Sequence, residues 1–88
     1  MFPSQLDGAT VLEYTSKGHY GFLTDYDESN APIVKELCYY AICRYQRNEY
    51  YLFGCDQQYN VMCDYLFPSV EQCKENLTIP RETIWNKK

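Results

Sequence analysis

The sequence predicts an α+β fold: an antiparallel sheet of four to five strands in a meander, with one short C-terminal helix packed on one face. Three observations carry this expectation. Ten of the 88 residues are tyrosine, and aromatic side chains favour strands. Apolar runs recur between turn signals at short intervals, as in sheets built from hairpins. After Pro68 the pattern changes to a helical one. A chain of this length makes one domain, 1–88, and buries only roughly 60–65% of its unfolded surface.

Asp7-Gly8 is a turn signal, and Ala9-Thr10-Val11-Leu12-Glu13-Tyr14 reads as the first strand. Thr15 to Gly18 breaks it. Tyr20 to Thr24 is a second strand weakened by Gly21. Asp25 to Pro32 is polar and reads as a loop. The chain is apolar and aromatic from Ile33 to Tyr45, turns at Arg47-Asn48, resumes over Glu49 to Cys55, turns at Asp56-Gln57-Gln58, and continues from Tyr59 to Phe67. Ser69 is placed to cap a helix, with Gln72 three residues on to complete a capping box. Glu71 in the first turn suits the helix dipole. Val70, Cys73 and Leu77 share a face, and Pro80 limits the helix to about two turns. Thr83-Ile84-Trp85 either adds a closing strand or lays its indole on the core.

A two-residue turn at Arg47-Asn48 sets Ile42 opposite Phe53 and Tyr40 opposite Cys55. An odd loop, Gln57 to Tyr59, sets Cys55 opposite Val61 and Phe53 opposite Cys63. That register gathers Ile42, Phe53, Cys55, Val61 and Cys63 on one face, whereas an even loop leaves Asn60 among core residues. Cys55 and Cys63 are then diagonal neighbours roughly 7–8 Å apart. A disulfide wants its Cα atoms within about 6.8 Å, so the two are expected to pack as small hydrophobes. Cys38 falls on the same face by parity and Cys73 points at it, which raises a zinc site. Structural zinc sites bring close-spaced cysteine pairs, and this sequence has none.

Few other function classes find support. The five cysteines form no regular pattern, and no export signal opens the chain, so reduced thiols and a cytoplasmic location are expected. No apolar run approaches the ~20 residues of a membrane span. The net charge of −4, with no basic cluster beyond Lys87-Lys88, disfavours a nucleic-acid backbone as partner. His19 has no evident tie to a cysteine. Asp25 to Asn30 has acidic spacing faintly like a calcium loop but lacks its glycine and distal glutamate. No phosphate-cradling glycine loop or nucleophile elbow occurs. The expectation is a non-enzymatic protein without cofactor or metal.

The opposite face of the same strands carries Leu37, Tyr39, Ala41, Cys43, Tyr45, Tyr50 and Leu52. One reading is a second packed layer or a self-association surface. The other is a tyrosine-rich contact surface, since tyrosine offers large area at low entropy loss. On that reading the partner-binding residues are Tyr39, Tyr45, Tyr50 and Tyr59, with Asp56 and Asp64 complementing positive charge on a protein partner. The alternatives are a base-stacking nucleic-acid sheet and a homo-oligomeric structural protein.

The run YYLFGCDQQYNVMCDYLFPSVEQCKENL resembles a set of small uncharacterised bacterial proteins. Their middle has an aromatic-Leu-Phe strand, Cys-Asp, a short turn, an aromatic-Asn-Val strand, Asp, and a Ser-Val/Leu-Glu-Glu-Ala-Lys helix. Tyr51-Leu52-Phe53, Cys55-Asp56, Tyr59-Asn60-Val61, Asp64 and Ser69 to Lys74 match those features. Tyr59 stands where tryptophan is usual, and Cys73 where alanine is usual. The resemblance implies the sheet-plus-helix fold. In size and composition such proteins look like immunity proteins of toxin systems, which implies a basic toxin as partner.

Overall fold

The computed structural model describes residues 1–45, 49–75 and 79–88. Among the described residues eight strands and one helix follow in chain order: β1 (Gln5–Leu6), β2 (Ala9–Thr15), β3 (Gly21–Tyr26), β4 (Pro32–Leu37), β5 (Tyr39–Arg44), β6 (Tyr50–Cys55), β7 (Val61–Phe67), α1 (Val70–Lys74) and β8 (Trp85–Lys87). One antiparallel sheet has the order β1-β2-β5-β6-β7, and β8 also pairs with β2. The sheet therefore has more strands than expected, because the short β1 and β8 share the outer edge of β2. Strands β3 and β4 form a separate ribbon between β2 and β5. No helix among the described residues is long and apolar enough to cross a membrane.

The expected second strand is β3, and the expected loop shortens to a turn over 27–31 that lets β3 pair with β4. Asp27 makes it possible by closing the turn itself: its Oδ1 accepts from the Ser29 and Ala31 amides, both at 2.9 Å, and from the Ser29 hydroxyl at 2.7 Å. Asn30, at φ 63°, takes the left-handed position that asparagine tolerates better than most residues. The long apolar run from Ile33 also divides, with Cys38 between two strands. Its backbone stays bonded on both sides, donating to the Cys55 carbonyl at 2.8 Å and accepting from the Gly18 amide at 2.9 Å.

Register in the centre differs from expectation by one residue. Ala41 pairs with Phe53, Ile42 with Leu52 and Tyr39 with Cys55. The expected Arg47-Asn48 turn lies outside the described residues. Its consequence is plain: Ile42 and Phe53 point to opposite faces. At the next turn Cys55 does pair with Val61, but the register then shifts and Gly54 meets Cys63. A β-bulge of this kind inserts one unmatched residue and turns the following side chains over. The expected grouping of Ile42, Phe53, Cys55, Val61 and Cys63 is thus split between two faces.

Face one carries Phe2, Leu6, Ala9, Val11, Ala41, Cys43, Phe53 and Cys55, all buried. Face two carries Leu37, Tyr40, Ile42, Leu52, Cys73 and Ile79, with Trp85, Val70, Met62 and Cys63 packed beside them. Ser69 caps α1 by accepting from the Gln72 amide at 3.2 Å. Cys73 is its buried residue. Lys74 reaches Glu13 of β2 at 2.8 Å and lies 5.8 Å from the Trp85 ring centre, joining helix, β2 and β8. Leu77, expected beside Cys73, lies outside the described residues.

A side chain at Gly54 would force its neighbours to shift. A Cβ there would sit 2.6 Å from the Cys63 sulfur and 2.9 Å from Leu37 Cδ2. Gly54→Ala should lower stability by about 1–3 kcal/mol through overpacking, read as a lower urea midpoint at unchanged slope. Adding Cys63→Ala should recover part of the loss, because the two sites touch.

Candidate functional site

Four aromatic rings gather on face one. Phe2 stacks on Tyr14 with ring centres 4.4 Å apart and meets Tyr39 and Tyr59 edge-on at 5.5 and 5.1 Å. Tyr39 and Tyr59 stack at 4.9 Å. A hydrogen bond with Tyr59, then burial, pushes the Tyr39 hydroxyl up to about 12. These rings fill the space between the N-terminal segment and the sheet. Tyr59 reaches it from a left-handed backbone position at φ 65°, a conformation bulky residues seldom adopt.

That position comes from the β6–β7 turn, which Asp56 builds. Its Oδ1 accepts from the Gln58 and Asn60 amides, both at 2.9 Å, and its Oδ2 from Asn60 Nδ2 at 3.0 Å. Burial pushes the carboxyl up, but the bonds from Asn60 and Gln58, with the charge of Lys35, hold it below the ordinary 3.8. Asp56 therefore works inside its own turn.

Of the expected contact residues, only Tyr45 and Asp64 are exposed. The Tyr45 hydroxyl donates to the Asp7 carbonyl, and its ring meets Tyr51 edge-on. Tyr50 is half-buried on face two, away from Tyr39, Tyr45 and Tyr59. The structure does not bring the six residues into one surface.

The cysteines separate as well. Cys43 and Cys55 belong to face one, Cys63 and Cys73 to face two. All five are free thiols. Among the described residues no group of three or more His, Cys, Asp or Glu is placed to hold a metal ion. Burial pushes Cys43 and Cys55 up to about 12 and Cys73 up to about 11. Cys38 and Cys63 are also raised, chiefly by burial. Such thiols stay protonated at neutral pH and are weak nucleophiles. His19 bonds Glu36 at 2.7 Å.

A row of exposed apolar side chains lies on the β3–β4 ribbon, whose β4 lines a cleft with Asp56 of the expected contact residues. Phe22, Thr24 and Tyr26 share one of its faces with Pro32, Val34 and Glu36 across the ladder. Phe22 is 69% exposed, Val34 64% and Tyr26 62%. The other face of the ribbon sends Leu23 and Leu37 into the face-two core. At the tip stand Asp25, Asp27 and Glu28, all exposed. The sequence carries only a partial signal for it: acids mark the turn, but neither Tyr20 to Tyr26 nor Pro32 to Leu37 strictly alternates.

Compared with known proteins, the chain matches no family model, no curated protein and no solved structure.

The Asp56 turn and the thiols each lead to an expected outcome. Asp56→Ala should cost about 2 kcal/mol at neutral pH, the scale of hydrogen bonds to a charged group. The folded carboxyl titrates below the unfolded one, so this contribution is complete above 3.8 and fades as pH falls through the folded value. Urea melts of both proteins should therefore converge in acid. With a thiol reagent in native buffer, half-buried Cys63 should react first, and buried Cys38, Cys43, Cys55 and Cys73 only as the fold opens. Loss of the first phase in Cys63→Ser checks the assignment.

Proposed function

We propose that this chain is a non-enzymatic protein-binding module, similar in role to the immunity proteins that mask a basic toxin. The observation that carries the reading is the outer face of the β3–β4 ribbon. Its apolar row of Phe22, Tyr26, Pro32 and Val34 stands in solvent beside the acidic tip of Asp25, Asp27 and Glu28. Contiguous exposed apolar surface with a polar rim is the usual mark of a protein contact. The acids supply charge complementarity and steering toward a basic partner. In this reading β5, β6 and β7 are the meander, α1 braces face two, and together they hold the ribbon base rigid through Leu23 and Leu37.

Native mass spectrometry of the tagged protein, purified gently from its own cells, tests the proposal. A stoichiometric adduct of protein mass is expected. Phe22→Ala with Val34→Ala should weaken that adduct about tenfold or more if these are anchor residues, with circular dichroism unchanged. Binding should also weaken with salt. An adduct indifferent to the double variant would move the site elsewhere, and an RNA-mass adduct would favour the nucleic-acid alternative.

A further inference from the structure

The base of the ribbon holds a negative charge that one proton can cancel. On its outer face Glu36 of β4 stands opposite Phe22 of β3 across the ladder. Side chains so placed have Cβ atoms about 4.5–5.5 Å apart. Phe22 is exposed, and 31% of the Glu36 side chain is open to solvent. A guanidinium suits such a pair, because its fork bonds a carboxylate and its plane lies on an aromatic ring. The tip acids suit it less. Asp25 lies on the inner face with Leu23, and Asp27 Oδ1 already accepts three bonds within its own turn.

Glu36 has a neighbour that can compete for its charge: His19 Nδ1 lies 2.7 Å from Oε2. An ionised carboxylate only accepts, so Nδ1 carries a proton whether the ring is neutral or charged. The second proton therefore adds at Nε2, and 81% of the His19 side chain is exposed. With the ring neutral, the pair carries the charge of Glu36 alone. With the ring protonated, the pair sums to zero and meets an incoming cation with a like charge. We propose that Phe22 and Glu36 form a subsite for an arginine side chain of the basic partner, and that protonation of His19 weakens it. The subsite rests on the reading of the outer ribbon face as the contact surface for such a partner.

The other groups at this corner do not share the response. The Cys38 thiol donates to Glu36 Oε1 at 3.9 Å. Burial and then the Glu36 charge push that thiol up, so it stays protonated. Lys17, from the same loop as His19, and Asp56, from the β6–β7 turn, also act on Cys38. Histidine is the side-chain type that ordinarily changes charge between pH 5 and 8, and this chain has one.

Titrating a tetra-arginine amide into the purified chain, followed by backbone amide chemical shifts, tests this without the natural partner. The shifts should centre on Phe22 and Glu36. Affinity should rise about two- to fivefold from about pH 5.5 to about pH 8, the range of one exposed ion pair. His19→Gln cannot take the proton and should bind at the wild-type high-pH level throughout. Glu36→Gln should bind weakly at both. A peptide that does not bind, or that shifts other residues instead, would overturn the proposal. So would wild-type affinity that ignores pH, or a His19→Gln variant that keeps the wild-type dependence. A failed adduct search counts against the contact face, and a flat peptide titration against the subsite alone.

Discussion

Burial of the β5–β6 ladder on both faces is the constraint that organises this chain. Tyr40, Ala41, Ile42 and Cys43 are buried in succession, as are Leu52, Phe53, Gly54 and Cys55. Four consecutive buried residues in a strand mean that both faces need a cover. A chain of 88 residues has little material for two covers, so each is assembled from scraps. Phe2, Leu6 and the rings of Tyr14 and Tyr59 cover face one. A helix of five residues, Ile79, Trp85 and the ribbon base cover face two. Cysteine suits such a core because it fills small gaps without a polar demand, and burial keeps each thiol protonated.

The two covers are held by polar contacts that reach across the chain. Lys74 ties α1 to Glu13 on β2. The Tyr40 amide donates to Thr15 Oγ1 at 3.0 Å inside the core, and among the described residues every buried side-chain nitrogen or oxygen has a partner. Gly54 allows Leu37 and Cys63 to close over the ladder. Local chemistry and long-range packing agree at these points, which is what gives one structure rather than several.

The same constraint explains how much could be read from the sequence. Strand content, the Ser69 cap and the Cys55–Val61 pairing at the Asp56 turn were legible because each depends on residues close in the chain. The β5–β6 register was not. A hydrophobic pattern fixes register only when one face is polar, and here Ile42–Phe53 and Ile42–Leu52 are equally apolar pairs. One slip exchanged the faces of Ile42 and Phe53, and with them the company of every tyrosine. Tyr39 and Tyr59, read as a contact surface, lie half-buried because Phe2 packs on them, and Tyr50 because it packs against the face-two core. The bulge near Gly54 was equally hidden, because nothing local to Met62 announces it.

Acidity, too, depends on where the chain folds each side chain. A net charge counts carboxylates, but their setting decides how long they stay charged. The Ser29 hydroxyl and the Ala31 amide hold Asp27 below its ordinary value, and the Asn60 and Gln58 bonds do so for Asp56 against its burial. Both residues close a hairpin by accepting from the amides two and four positions on. One device therefore sets two turns and fixes negative charge at both, down to lower pH than an unbonded carboxylate would keep it. At the ribbon tip that charge sits beside the exposed row of Phe22, Tyr26 and Val34, so the bonds that shape the turn also sustain the field a basic partner would meet.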